Sequence, residues 1–144
     1  MSKLSVRVLL TTALLAIPLV AQEQYTEGPV WRIDLVKAKP GKTRALLQDM
    51  RDNALPVLEE ERKQGLIMDY KLYQNSTMNG PDDWYIAVGV EYKNFAALDG
   101  LAAKAQDLAL KHYGSKEARQ TANDKRAEIG ELVGRRLMRE ITLK

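Results

Sequence analysis

The sequence contains no cysteine and only one histidine, His112. Without cysteine the chain cannot form a disulfide, a thiolate metal site or an acylated lipoprotein anchor. A single histidine excludes a multi-histidine metal site and gives no support to a Ser-His-Asp catalytic set. We therefore predict no metal and no tightly bound cofactor, and the sequence identifies no catalytic residue.

Apolar runs long enough to span a membrane are lacking as well. The run at residues 8–20 follows Lys3 and Arg7 and has the length of a signal-peptide core, shorter than the roughly 20 apolar residues of a spanning helix. We expect residues 1–21 to be a signal peptide that is cleaved after Ala21. The mature protein would then be exported to the periplasm or the extracellular space, with no membrane partner.

The charge balance shows no excess of one sign once the leader is set aside. Loss of Lys3 and Arg7 leaves 20 basic side chains against 19 acidic ones, interspersed rather than clustered. Nucleic-acid-binding domains carry a clustered basic face, so we expect no nucleic-acid partner. The remaining length fits one domain at residues 30–144, preceded by a flexible lead-in at residues 22–29.

Alternation and helical spacing predict four strands and three helices. The strands are expected at residues 30–39, 66–75, 84–92 and 136–143, and the helices at 43–64, 94–114 and 115–134. Pro56 lies inside the first helix and should kink it or split it into two. The order β-α-β-β-α-(α)-β predicts an α+β, ferredoxin-like domain, in which a four-stranded antiparallel sheet has helices on one face only.

The uncovered face of that sheet is where we expect function. Trp31, Ile33 and Leu35 are predicted to lie under the helices, which would turn Arg32 and Asp34 to the open face. Aromatic and charged side chains of the other strands would join them there. With His112, they make six candidates for ligand binding: Arg32, Asp34, Tyr73, Tyr85, Glu91 and His112.

Each candidate also has an ordinary structural explanation. The charged pairs could be cross-strand ion pairs on a solvated sheet, or could pair across a dimer interface. His112 lies on the apolar stripe of its helix near the C-terminus, where a partly buried imidazole would interact with the last carbonyl groups and the helix dipole. We favour this structural role over a catalytic one.

Three segments resemble a known superfamily: VWRIDLVKAKPGK with the helix that follows it, NGPDDWYIAVGVEYKN, and RRLMREITL. They are similar to the dimeric α/β-barrel proteins, which include antibiotic-biosynthesis-monooxygenase-like and stress-responsive barrel proteins. The resemblance implies a homodimer formed through the open sheet faces and a small organic ligand between sheet and helices. It implies no single reaction, because the superfamily contains many.

The leading functional prediction is therefore an exported small-molecule-binding protein of the dimeric α/β-barrel type. The first alternative is a cofactor-independent monooxygenase or isomerase that acts on a small organic substrate. The second is a structural protein of the cell envelope, in which the open face joins subunits and there is no pocket.

Overall fold

The computed structural model describes residues 24–144, so the predicted signal peptide and the start of the lead-in lie outside the described residues. Four strands and four α-helices follow one another along this part of the chain. The strands are β1 (Tyr25–Ala38), β2 (Asp69–Gln74), β3 (Ile86–Tyr92) and β4 (Gly130–Leu143). The helices are α1 (Thr43–Asp49), α2 (Leu55–Lys63), α3 (Leu101–Tyr113) and α4 (Lys116–Ile129).

The four strands form one antiparallel sheet in the order β2-β3-β1-β4. The two central strands, β1 and β3, are each the first strand of one βαβ half: β1 precedes α1 and α2, and β3 precedes α3 and α4. This order with helices on one face is the split βαβ arrangement, and the predicted α+β ferredoxin-like fold is confirmed. None of the helices between residues 24 and 144 has the length and apolar character needed to cross a membrane.

The predicted orientation of β1 is wrong. Val30 is fully buried in the core under the helices, and Arg32 and Asp34 follow it on the same side at the period of two that strands impose. Ile33 and Trp31 point to the open face, where their side chains lie 3.3 and 3.4 Å from the position that a Cβ on Gly89 would take. The charged residues of β1 thus face the helices, and the large apolar ones do not.

β3 and β4 have the open faces that the alternation predicts, apart from Tyr85, which packs against core residues, and the structure gives the orientation of β2, which the sequence leaves ambiguous. Val90 and Tyr92 of β3 belong to the core, which leaves Ala87, Gly89 and Glu91 on the open face. Tyr70 packs against the same core, so Lys71 and Tyr73 face the open side of β2. On β4, Met138 is paired with Trp31 and Leu137 with Arg32, which places these two neighbours on opposite faces.

The core lies between the sheet and the helices in two parts. The larger one, at the α2 and α3 end, contains Val30, Leu58, Ile67, Val90, Tyr92 and Leu101. The smaller one contains Leu46, Met50 and Ile86. The cavity described below is lined by members of both clusters.

Several element boundaries differ from the prediction. A π-helical turn, Met50–Ala54, separates α1 from α2, and Pro56 lies in the first turn of α2, where a missing N–H costs least. Asn94 caps only a short 3-10 helix, and α3 begins as a separate helix after Gly100. Gly100 has a φ of +67°, a left-handed conformation that ends the helical path between the two.

Two strands are longer than predicted. β1 begins at Tyr25, inside the segment predicted to be a flexible lead-in, because Tyr25 and Thr26 pair with the end of β4. β4 begins at Gly130, where the predicted third helix was expected to continue. Val133 is therefore a strand residue rather than a helical one.

Candidate functional site

A cavity of about 810 Å³ lies between the helices and the covered face of the sheet. Its floor comes from β1, β3 and β4, and its walls come from α1, the π-helical turn, α2, α3 and α4. Much of the lining is apolar: Val36, Leu46, Met50, Ala54, Val57, Leu58 and Val88.

Asp34 is the centre of an ion-pair group on the cavity floor. Arg135, its cross-strand partner, donates from Nε and Nη2 to the two carboxylate oxygens at 2.5 and 2.9 Å. Arg32 Nε lies 3.3 Å from Asp34 Oδ2, but the geometry gives no hydrogen bond, and this nitrogen is buried without one. Asp34 is therefore satisfied by Arg135, while Arg32 keeps donor capacity for another group.

Glu61 is a buried carboxyl group on the cavity wall. It follows Leu58 by three residues, which places both side chains on the inner face of α2, and it is only 7% exposed. No side chain between residues 24 and 144 makes a hydrogen bond or a close ion pair with it. Burial raises the pKa of Glu61 above its ordinary value, and the positive charge of Arg32 opposes that shift.

Tyr92 adds a third unpartnered group next to these two. Its side chain is 1% exposed, and its hydroxyl has no hydrogen-bond partner among the described residues. Burial is the main cause that raises the pKa of Tyr92. The nearby charges of Arg32 and Arg135 lower this pKa, whereas those of Glu61 and Asp34 raise it. The guanidinium carbon of Arg32 lies 5.9 Å from the centre of the Tyr92 ring. We call Arg32, Asp34, Glu61, Tyr92 and Arg135 the Arg32 cluster.

A second polar network lines the cavity and joins its helices. Arg126 of α4 donates from Nε to Asp49 of α1 at 2.6 Å and from Nη2 to the Tyr113 hydroxyl at 2.9 Å. Asn53, in the π-helical turn, donates to the other carboxylate oxygen of Asp49 at 2.8 Å. His112 Nε2 lies 3.3 Å from Asn53 Oδ1 on the outer side of this network. These hydrogen bonds satisfy the network internally, in contrast to the Arg32 cluster.

The structure brings together only two of the six predicted site residues. Arg32 and Asp34 line the cavity, on the face opposite to the predicted one. Tyr73 and Glu91 lie on the open face as predicted, away from the cavity. These two pairs are separated by the thickness of the sheet, so they do not form one site.

The remaining two predicted residues lie elsewhere. Tyr85 precedes β3, packs against the smaller core cluster and accepts a hydrogen bond from Gln74 at 3.1 Å. His112 is exposed rather than partly buried, because its stripe of α3 turns outward near the C-terminus. It borders a shallow outer groove with Pro56, Glu60 and Lys111 and does not line the main cavity.

Sequence reasoning missed Glu61 and Arg126, although each left a signal. Glu61 lies in the charged run at residues 59–63, a pattern typical of the solvated end of a helix. Its spacing of three from Leu58 instead places a carboxylate on the apolar face. Arg126 likewise lies between Ala122 and Ile129 at helical spacing. A charged residue in the apolar stripe of a helix was thus the signal for a polar site in the interior.

The described residues contain no group of three or more His, Asp or Glu side chains that could hold a metal ion. Among the carboxylates that line the cavity, Asp34 and Asp49 form ion pairs with arginines. Glu61 is a single carboxylate, which is too few ligands for a metal ion. The arrangement is suited to hydrogen bonding and to proton transfer by side chains.

No protein-family model matches the chain, and no curated protein is similar to it. Solved structures that are similar in fold include the three described next. A protein from Shewanella oneidensis has 16% sequence identity and a TM-score of 0.48, covering 82% of this chain and 94% of that one. A dimeric protein of unknown function and ferredoxin-like fold from Bacteroides fragilis has 21% identity and a TM-score of 0.43, covering 82% and 100%.

The third similar structure is a dimeric ferredoxin-like protein from an uncultured marine organism. It has 10% identity and a TM-score of 0.50, covering 83% of this chain and 90% of that one. At such identities the likeness shows the fold alone, which agrees with the strand order described above. The resemblance to monooxygenase-like and stress-responsive barrel proteins stays a prediction.

Proposed function

We propose that this protein is an exported homodimer that binds a small organic molecule in the cavity between sheet and helices. One observation carries the binding function: a cavity of about 810 Å³ has a largely apolar lining and a few polar groups, among them Arg32, whose Nε has no hydrogen bond, and the buried Glu61 carboxyl group. Ligand sites commonly have volumes of about 300–1,000 Å³ and this combination of an apolar lining with few polar contacts.

The lining indicates the kind of ligand. Apolar residues of α1, α2 and β3 suit a ring or a short hydrocarbon body, and the Arg32 cluster suits a polar group that both donates and accepts hydrogen bonds. The charges of Arg32 and Arg135 are balanced by Asp34 and Glu61 within that cluster. A neutral or singly charged oxygen function therefore fits better than a phosphate.

The open sheet face supports the proposed homodimer. Trp31, Ile33 and Leu35, which are partly exposed, and Met138, which is 50% exposed, point to this face. Monomeric proteins rarely leave large apolar patches in water, so these side chains favour a partner. The similar marine protein is described as dimeric. Burial of this surface against a second copy would remove it from solvent.

Export follows from the leader-like pattern at residues 1–21 and is tested by fractionation. Cells that express the full chain should release a shortened protein with the periplasm, and its mass would locate the cleavage site. Retention of the full-length chain in the cytoplasm would contradict this part of the proposal.

The binding function is tested with the protein recovered from that fraction. Native mass spectrometry should show any retained small molecule, and titration with 1-anilinonaphthalene-8-sulfonate should give saturable fluorescence. Ala127→Trp places a large side chain in the cavity from the exposed helix α4 and should weaken this binding about tenfold, or 1.4 kcal/mol. Lys125→Trp, on the same helix but outside the lining, is the matched control.

Two results would contradict binding in this cavity. One is the absence of both a retained molecule and saturable dye binding. The other is equal binding by the Ala127→Trp and Lys125→Trp proteins. A stable dimer with either result would favour the structural role in the cell envelope instead.

A further inference from the structure

Three polar groups without hydrogen-bond partners lie close together beside the cavity. Arg32 and the Glu61 carboxyl group line it, Arg32 Nε is buried without a hydrogen bond, and the equally unpartnered Tyr92 hydroxyl lies next to them in the core. A buried polar group without a partner costs folding free energy, so native proteins keep few of them. Three such groups on three elements, β1, α2 and β3, are too close together to be independent packing faults, and they indicate a shared ligand.

The identities of the groups indicate what that ligand does. An ionised carboxylate accepts a proton, whereas a guanidinium and a phenol donate hydrogen bonds to an oxygen that gains negative charge. We propose that Glu61 is a proton-transfer group for enolisable carbonyl compounds, whose carbonyl oxygen is held by the Arg32 guanidinium. This inference rests on the proposed binding function and gives the ligand class and the chemistry of the same cavity.

The reaction balances without any cofactor. The Glu61 carboxylate removes a proton from the carbon next to the carbonyl group, so a C–H bond breaks and an O–H bond forms on Glu61. The C–H electron pair moves to the carbonyl oxygen, which becomes an enolate beside Arg32. When the Glu61 proton is first replaced by a deuteron from solvent, its delivery to the same carbon gives hydrogen exchange, whereas delivery of the proton to the far carbon of an allylic system moves the double bond.

The surroundings of Glu61 suit a general base. Leu58 and Val88 line the cavity with it and keep the carboxylate poorly solvated, and the resulting rise in its pKa makes it a stronger base than a surface carboxylate. The charged and titratable groups around it are Arg32 and Asp34 on β1, Tyr92 on β3 and Arg135 on β4. Of these, Arg32 lowers the Glu61 pKa and so favours the ionised carboxylate.

Two small ketones test the inference, and each has a direct readout. Proton NMR in D₂O follows hydrogen exchange next to the carbonyl group of 2-tetralone, and ultraviolet absorbance follows the conversion of cyclohex-3-enone to its conjugated isomer. The wild-type protein should accelerate both above the buffer rate. The acceleration should rise with pH through the Glu61 pKa and then level off.

Glu61→Gln should lower the accelerated rate about 100-fold or more, because it removes the base and preserves the shape. The Glu61→Gln protein should still bind 2-tetralone, measured by displacement of 1-anilinonaphthalene-8-sulfonate. Glu60→Gln is the matched control. Glu60 is an exposed neighbour on α2 whose carboxylate accepts a hydrogen bond from Gln64, and its replacement should leave the rate unchanged.

The outcomes separate the two proposals. A wild-type protein that binds the dye and the ketones without accelerating exchange overturns the proton-transfer role and leaves the binding function in place. Dye binding that the ketones do not displace overturns the proposed ligand class. Loss of rate in the Glu60→Gln protein, or retained rate in the Glu61→Gln protein, overturns the assignment to Glu61.

Discussion

At the scale of single residues, Glu61 is a titratable side chain whose charged form is disfavoured by burial in the folded protein. The folded protein holds the Glu61 proton more tightly than the unfolded chain, because burial raises its pKa above the ordinary value of 4.5. Stability therefore falls as pH rises from the unfolded pKa through the folded one. Such a group is retained at the expense of stability, which is common at functional sites.

Glu61→Gln should therefore stabilise the ligand-free protein at neutral pH. We expect a gain of about 1 kcal/mol in the free energy of unfolding, because the amide carries no charge to desolvate. The gain should disappear at about pH 4, below the unfolded pKa. Urea unfolding at the two pH values measures both effects, with Glu60→Gln as the control. A Glu61→Gln protein less stable than wild type at neutral pH would show that the carboxylate has a stabilising partner.

At the scale of secondary-structure elements, β1 shows where sequence reasoning succeeds and where it fails. The faces of β3 and β4 could be predicted because one side of each strand is clearly suited to a core, as with Val88, Val90 and Tyr92 of β3. On β1 either of the two alternating sets of side chains could face a core. The large apolar residues at positions 31, 33 and 35 favour the side of the helices, but in the structure they lie on the open face.

The cavity explains that error in physical terms. A strand under a packed core carries apolar residues, but a strand that forms the floor of a polar site carries charges such as Arg32 and Asp34. These charges need Arg135 from β4 and space below α2, and neither is visible in the sequence around β1. The fold could be predicted from local patterns, whereas the site depends on pairing between residues about 100 positions apart.

Helix α4 gives a prediction at the same scale. None of its side chains is fully buried, and Arg126 ties it to α1 and α3 through Asp49 and Tyr113. Arg126→Met should lower the free energy of unfolding by roughly 1–3 kcal/mol, because Asp49 loses a charged partner. Amide exchange measured by mass spectrometry should become faster in α4 than in α3.

Arg119→Met is the control for that helix. Arg119 also lines the cavity from α4, but its side chain makes no hydrogen bond or ion pair with the described residues. The exchange of α4 should therefore stay at the wild-type rate in the Arg119→Met protein. Equal acceleration in both variants would mean that α4 depends on overall cavity charge rather than on the Arg126 hydrogen bonds.

At the scale of the whole molecule, β4 presents two adjacent apolar residues to opposite sides of the sheet. Met138 and Leu137 are 50% and 48% exposed, so a charge at either position meets similar solvation in the isolated protomer. Met138 is paired with Trp31 on the open face, whereas Leu137 is paired with Arg32 on the side of the helices. The two positions differ mainly in which surface of the molecule they belong to.

Met138→Glu should therefore weaken the proposed dimer, and Leu137→Glu should not. A carboxylate at Met138 would be buried twice in a twofold interface, once from each protomer, without a positive partner. We expect the dissociation constant to rise at least about tenfold, measured by light scattering over a dilution series. Circular dichroism should show the same fold in both variants. If Leu137→Glu dissociates the dimer and Met138→Glu does not, the subunits meet through the helical side of β4 and the open face has another partner.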